Sequence, residues 1–170
     1  MEKELPVRKK IRLQGYDYSK SGYYFVTMCV KNGHEMLGNI VGHDDPACRV
    51  FVELTGYGII SEKYIKTIEP HYNGVLVDKY CIMPNHVHFI FAVCGEKDGA
   101  PGSSRPTTAL IPRIMAAYKK YTNKEFGFDM WQDRYHDHII RNEEEYRIKW
   151  RYIENNPAKW AEDDYYVKEK

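Results

Sequence analysis

The chain has little net charge, few cysteines and no long apolar run. Its 25 Lys and Arg residues against 24 Asp and Glu give a formal net charge of +1, so nucleic-acid binding would have to rest on local clusters. The four cysteines form no Cys-x-x-Cys pair, which favours reduced thiols over a disulfide framework. No membrane-length segment or secretory signal is visible, so we expect a cytoplasmic protein without membrane contact.

Length and local composition indicate how the chain is organised. At 170 residues it has room for one domain with a hydrophobic core but not for two, so we expect residues 1–170 to form a single domain. A basic N-terminal arm spans about residues 1–20, a flexible loop rich in Gly, Pro, Ser and charge spans about 95–107, and a short acidic run covers 162–164. Charge runs of this kind serve either as solvated faces or as DNA contacts, and composition leaves both readings open.

The order of predicted elements indicates an α+β fold. Apolar alternation predicts strands and 3.6-residue periodicity predicts helices, with turn residues between them. The order β-α-β-β-α-β is the ferredoxin-like, RRM-like pattern of an antiparallel sheet, here with an additional C-terminal helix. The predicted strands are 23–30, 75–82, 86–94 and 131–140, with a small hairpin at 36–41 and 49–54; the predicted helices are 55–68, ended by Pro70, 108–126, and 143–156.

Two histidines, His86 and His88, lie two residues apart in an apolar and aromatic run. Strand alternation places both rings on one face, while Val87 and Phe89 point to the other. The preceding turn at 83–85 places the pair at the start of a strand, where we expect the rings to be accessible to ligands. Two adjacent imidazoles are half of a metal site, although a hydrogen-bonded histidine pair would fit the same spacing.

The predicted C-terminal helix carries a polar flank beside its apolar stripe. Tyr152 and Asn156 are four residues apart and so project into the same space. A tyrosine phenolate can attack a phosphodiester, retain the 5′ phosphate as a covalent ester and release a 3′ hydroxyl, if a cation offsets the developing charge. His86 and His88 could supply two ligands to that cation, and the Asn156 oxygen a third. The expected packing stripe of this helix is Tyr146, Trp150, Ile153 and Pro157.

Three blocks of the sequence resemble the single-tyrosine HUH transposases, and most closely those associated with repetitive extragenic palindromes (REPs). The likeness runs from about Arg12 to Trp160. It implies a metal-dependent single-stranded DNA endonuclease and strand transferase that forms a 5′-phosphotyrosine intermediate. By the resemblance, Tyr152 is the nucleophile, His86 and His88 bind Mg²⁺ or Mn²⁺, and Asn156 completes the site. The matching blocks are Pro84-Asn85-His86-Val87-His88, Trp131-Gln132-Asp133-Arg134-Tyr135-His136-Asp137-His138 and Tyr152-Ile153-Glu154-Asn155-Asn156-Pro157.

The same resemblance implies a DNA partner that combines a single strand with a hairpin. Backbone charge and base stacking would provide such binding. It leaves open whether the protein is a monomer or a homodimer, and whether the tyrosine serves its own chain or a partner. The candidate DNA contacts are Arg8, Lys9, Lys10, Arg12, Arg134, His138 and Arg141.

Other assignments compete with this interpretation. Tyr118 and Tyr121 also lie on a predicted helix, but they fall on or beside its apolar stripe, so packing accounts for them. His136 and His138 form a second histidine pair without an evident third ligand. Two other functions remain open: a non-catalytic RRM-like module that binds structured nucleic acid, and a metal-dependent phosphodiesterase that uses water as the nucleophile.

Overall fold

The structure, a computed structural model, describes residues 21–42, 50–94 and 110–166. The predicted basic arm and the predicted loop at 95–107 lie outside these ranges. Two short 3₁₀ turns, Lys31–Gly33 and Pro157–Glu162, accompany the regular elements. These elements are β1 (Gly22–Cys29), β2 (Gly38–Val41), β3 (Phe51–Leu54), α1 (Gly56–Lys66), α2 (Ile68–His71), β4 (Val75–Ile82), β5 (His86–Val93), α3 (Leu110–Phe126), β6 (His136–Ile140) and α4 (Glu143–Asn155).

Four strands form one antiparallel sheet in the order β4-β5-β1-β6, and β2 pairs with β3 in a separate hairpin. This arrangement confirms the predicted ferredoxin-like α+β fold with an additional C-terminal helix. The β-branched and aromatic residues of β1 suit its central position, because both faces of a central strand are buried. No helix in the described ranges is long and apolar enough to cross a membrane.

The two faces of the sheet are covered by different helices. On one face, Phe89 packs in the main core with residues of α1 and α3, including Tyr118. On the other face, Phe25 and Ile90 pack against Ile153 of α4. The alternation in β5 therefore separates core side chains on the α3 face from the histidines on the α4 face.

The structure corrects three details of the sequence prediction. Pro70 lies inside α2 and does not end a helix. Proline is tolerated there because the backbone N–H groups in the first turn of a helix have no intrahelical hydrogen-bond partner. The last strand begins at His136 and not at Trp131, whose indole is buried in the core and donates a 2.7 Å hydrogen bond to Oγ1 of Thr122. Trp150 is not part of the packing face: it is 37% exposed, and the Lys79 ammonium lies 3.4 Å from its ring centroid.

The start of α1 offers a matched test of the fold. A Cβ added at Gly58, which is buried, would overlap the carbonyl oxygen of Leu37 and lie 3.1 Å from Cβ of Leu54. We expect Gly58→Ala to lower the free energy of unfolding by about 2–3 kcal/mol through overpacking. Gly56→Ala, which meets nothing within 4 Å, should be neutral or stabilise by about 0.5 kcal/mol. Urea unfolding of both variants measures the difference, and equal stabilities would contradict this packing.

Candidate active site

His86 and His88 lie side by side on the α4 face of β5. The turn before β5 closes with a 2.8 Å hydrogen bond from the backbone N–H of Met83 to the carbonyl of His86, which places the pair at the start of the strand. The predicted accessibility is wrong: the two side chains are 0% and 1% exposed. Aromatic rings from the segment after α4 cover them, since the Tyr165 and Trp160 centroids lie 4.6 Å and 5.9 Å from that of His86.

A hydrogen-bond network fixes the tautomer of His86. The Asn85 amide nitrogen donates to the carbonyls of Gly33 and Tyr165, at 3.1 Å and 2.8 Å. The Asn85 oxygen therefore faces the imidazole, and His86 Nδ1–H donates to it over 2.8 Å. Consequently the Nε2 lone pair of neutral His86 points toward His88 Nε2, which is 2.9 Å away. Metal-ligating histidines typically donate a hydrogen bond to an oxygen from the ring nitrogen that does not bind the metal, and His86 Nδ1 makes such a bond.

Asp163 completes a three-residue cluster with the two histidines. Their possible ligand atoms all lie within 4.8 Å of one another, and this is the one His/Cys/Asp/Glu group of that kind in the described ranges. Sequence analysis missed Asp163, because its position depends on the chain folding back after α4. The single available signal was the acidic run at 162–164.

The predicted flank of α4 faces the histidines of the same chain. The ring centroids of Tyr152 and His88 are 5.1 Å apart. The Tyr152 hydroxyl donates to Oδ2 of Asp163 at 2.9 Å, and the Asn156 amide donates to the same oxygen at 2.7 Å. Asn156 is buried, and among the described residues its Oδ1 has no hydrogen-bond partner. The Asp163 carboxylate therefore hydrogen-bonds to Tyr152 and Asn156 and lies beside the histidine pair.

Burial sets the charge state of the site. Desolvation lowers the pKa of His86 to about 4, although the Asp163 charge opposes this shift, and it lowers the pKa of His88 well below its usual range. Both imidazoles are therefore neutral near pH 7, as metal ligands must be. Burial, and after it the charge of Asp163, raises the pKa of Tyr152 above its ordinary value. This phenol stays protonated unless a base or a cation assists it.

Both cysteines next to the histidines in the sheet are free thiols. Cys29 lies opposite His86 in the strand register, and Cys81 lies opposite His88. Burial raises the pKa of each thiol to about 12. Cys94 is also free, so three of the four cysteines match the predicted reduced state, and Cys48 lies outside the described residues.

A cleft of about 290 Å³ lies beside Tyr152. Its charged lining residues are two cations, Arg151 and Lys159, and two carboxylates, Glu162 and Asp163. The exposed fraction of Tyr152 is 37%, so the phenol can be reached from solvent even though the histidines are covered. The cleft therefore gives access to the tyrosine and carries charges of both signs.

The predicted DNA contacts lie in different places. Arg134 and Arg141 are exposed before and after β6. His138, on β6, is half-buried and forms an ion pair with Glu145 when protonated. The four predicted contacts in the N-terminal arm lie outside the described residues: Arg8, Lys9, Lys10 and Arg12.

The competing tyrosines lie on α3, across the sheet from the histidines. Tyr118 is buried in the main core, where its hydroxyl hydrogen-bonds to that of Ser61. Tyr121 is exposed and stacks on Tyr64, with ring centroids 6.1 Å apart. Neither contacts His86 or His88, which leaves Tyr152 as the α-helical tyrosine at the histidine pair.

Comparison with known proteins finds relatives of this chain and of its fold. No family model matches the chain. It is 30% identical over 175 residues to an uncharacterized protein from Haemophilus influenzae, with 94% of this chain and 93% of that protein covered. A REP-associated tyrosine transposase, solved bound to a REP hairpin, aligns with a TM-score of 0.56 and 22% identity over 83% of this chain and 69% of that one. The chain thus belongs to the same family as the Haemophilus influenzae protein and has the fold of a REP-associated tyrosine transposase.

Proposed function

We propose that the protein is a transposase-like enzyme: a metal-dependent single-stranded DNA endonuclease and strand transferase with Tyr152 as its nucleophile. One observation carries this proposal: within a single chain, the Tyr152 hydroxyl hydrogen-bonds to the carboxylate that groups with His86 and His88. A tyrosine beside a buried metal-type cluster suits covalent phosphoryl transfer. The arrangement favours a site in which each chain uses its own tyrosine.

The mixed donor set of two imidazoles and a carboxylate fits a divalent cation, which we propose to be Mg²⁺ or Mn²⁺. His86, His88 and Asp163 would hold it, and the unpartnered Oδ1 of Asn156 could act as the further oxygen ligand that the sequence suggests. When bound, the cation would polarise the phosphoryl oxygens and offset the charge of the phenolate. The two imidazoles are already neutral and face each other through Nε2, so neither has to lose a positive charge before a cation binds.

The residues of the chain account for a balanced cleavage step. The Tyr152 oxygen attacks the phosphorus while its proton passes to the Asp163 carboxylate. The bond between phosphorus and the 3′ oxygen breaks, and that oxygen takes a proton from water and leaves as a 3′ hydroxyl. The downstream strand remains attached through its 5′ phosphate. A different 3′ hydroxyl can reverse the step, because the phosphotyrosine retains the energy of a phosphodiester, and this reversal constitutes strand transfer.

We further propose that the DNA partner combines a single strand with a hairpin, since the structural relative was solved with a REP hairpin. Arg151 and Lys159 line the cleft beside Tyr152 and would contact the phosphates of the scissile strand. Arg134, Arg141 and the N-terminal arm are candidate contacts to the hairpin. Such binding would weaken steeply as salt increases.

The position of a label in the covalent product tests the chemistry. The substrate is a pool of DNA hairpins with randomised single-stranded flanks, labelled at either the 5′ or the 3′ end and incubated with Mn²⁺. We expect the 3′-end label to migrate with the protein on a denaturing gel, and the 5′-end label to appear on a free fragment that a polymerase can extend.

The other outcomes separate the competing functions. Free fragments without any protein adduct would indicate a phosphodiesterase that uses water. Retention of the hairpin on a native gel without cleavage would indicate a non-catalytic binding module. Retention of the 5′-end label on the protein would contradict the 5′-phosphotyrosine intermediate.

A further inference from the structure

A buried hydroxyl lies directly behind His88. Thr27 is opposite His88 in the register of β1 and β5, and its side chain is 1% exposed. Its Oγ1 lies 2.8 Å from His88 Nδ1, the ring nitrogen that faces away from His86. The ring of Tyr165 packs on both imidazoles, and its hydroxyl interacts with the side chain of Thr27. Two hydroxyls in series therefore end at His88.

The geometry of the histidine pair requires His88 to exist in two tautomers. His86 donates from Nδ1 to Asn85, so its Nε2 offers a lone pair. Without a cation, a second lone pair cannot face it at 2.9 Å, so His88 must carry its proton on Nε2 and accept from Thr27 at Nδ1. With a cation, both Nε2 atoms must supply lone pairs, and His88 must then carry its proton on Nδ1 and donate to Thr27.

We propose that Thr27 and Tyr165 form a reversible hydrogen-bond relay that allows His88 to exchange between these tautomers. A hydroxyl both donates and accepts, so rotation of the two hydroxyls satisfies Nδ1 in either state. The imidazole stays neutral throughout, because it releases one proton to water at Nε2 and takes up one at Nδ1 from the Thr27 hydroxyl. Thr27 regains a proton from Tyr165, and Tyr165 regains one from water, so no net proton is gained or lost. A side chain that could only donate or only accept would favour one tautomer.

Tyr165 also supports the other histidine. Its backbone carbonyl accepts from the Asn85 amide, and the Asn85 oxygen accepts from His86 Nδ1. Tyr165 therefore lies at the end of the chain that starts at His86 and of the chain that starts at His88. Thr27 and Tyr165 are positioning residues, because they act on the cation only through the imidazoles.

This inference rests on the metal site of the proposed function, and its test uses the full chain without DNA. Thr27→Val keeps the shape of the side chain but removes the hydroxyl, Thr27→Ser keeps the hydroxyl, and Tyr165→Phe keeps the ring. Tyr166→Phe is the matched control, because the Tyr166 ring packs on Trp160 and no contact with the histidines is found. Mn²⁺ affinity is measured by titration, and the His88 tautomer is read from ¹⁵N shifts of the imidazole with and without Mg²⁺.

We expect Thr27→Val to weaken Mn²⁺ binding about tenfold or more, which is typical when an outer-shell partner of a ligand is lost. Thr27→Ser and Tyr166→Phe should bind within about threefold of the unmutated protein. Tyr165→Phe should weaken binding less than Thr27→Val, and the double variant should add little, because both changes break one chain. In the unmutated protein, the His88 proton should move from Nε2 to Nδ1 when Mg²⁺ binds.

Mn²⁺ affinities of Thr27→Val and Tyr165→Phe within twofold of the unmutated value would overturn the relay, as would a His88 proton on Nδ1 in the cation-free protein. If Thr27→Val does not fold, the Mn²⁺ affinity of Tyr165→Phe and the tautomer of His88 in the unmutated protein still test the relay. Failure to form a DNA adduct would overturn the proposed function and leave these results standing. Failure of the unmutated protein to bind Mn²⁺ or Mg²⁺ would overturn both.

Discussion

Replacing Tyr152 by phenylalanine is expected to reduce the covalent protein–DNA adduct by at least about a thousandfold, which is below detection on a denaturing gel. Phenylalanine keeps the edge-on ring contacts of Tyr152 with Phe25 and His88, at centroid distances of 6.0 Å and 5.1 Å. It lacks the oxygen that attacks phosphorus in the proposed reaction. The fold and the cation site should therefore survive while the chemistry is lost.

The measurement compares three properties of the same preparation. Hairpin retention on a native gel and Mn²⁺ affinity should stay within about threefold of the unmutated protein, because phenylalanine preserves the ring packing. Tyr166→Phe, a half-exposed tyrosine that packs on Trp160, should form the adduct at the normal rate. An adduct that persists in Tyr152→Phe would contradict the assignment of Tyr152 as the nucleophile, and peptide mapping would then identify the reacting residue.

Much of the fold followed from local periodicity. The β-branched and aromatic run of β1 and the alternation in β5 predict strands, and both end within one residue of the predicted boundaries. Trp131 shows where this reasoning fails, because the indole is held by a buried hydrogen bond to Thr122 and not by a strand ladder. A long-range contact of this kind leaves no period in the sequence.

The site was partly predictable for the same reason. A two-residue spacing on a strand places His86 beside His88, and a four-residue spacing on a helix places Tyr152 beside Asn156, so each pair is a local property of the chain. That the two pairs face each other depends on how α4 crosses the sheet, which the family resemblance supplied and periodicity did not. Asp163 could not be predicted, because it follows a 3₁₀ turn and reaches the site only when the chain folds back.

The segment that covers the histidines is also the segment that completes their surroundings. Asp163 accepts a hydrogen bond from Tyr152, and Tyr165 packs on the imidazoles and accepts from Asn85. Burial lowers the pKa values of both histidines, so both imidazoles remain neutral well below pH 7. Two opposite roles for Asp163 follow: it either assembles the catalytic site or holds Tyr152 in an inactive arrangement.

Asp163→Asn distinguishes these roles by the direction of its effect. If Asp163 is a cation ligand and accepts the Tyr152 proton, the variant should bind Mn²⁺ about 10–100-fold more weakly and form the adduct about 100-fold more slowly at saturating Mn²⁺. Asp164→Asn removes the same charge from the adjacent exposed residue and should change neither value more than about threefold. Faster adduct formation by Asp163→Asn would show that the carboxylate restrains the tyrosine. The expected loss of both affinity and rate follows because one oxygen accepts from Tyr152 and Asn156 while the same carboxylate faces the buried histidine pair.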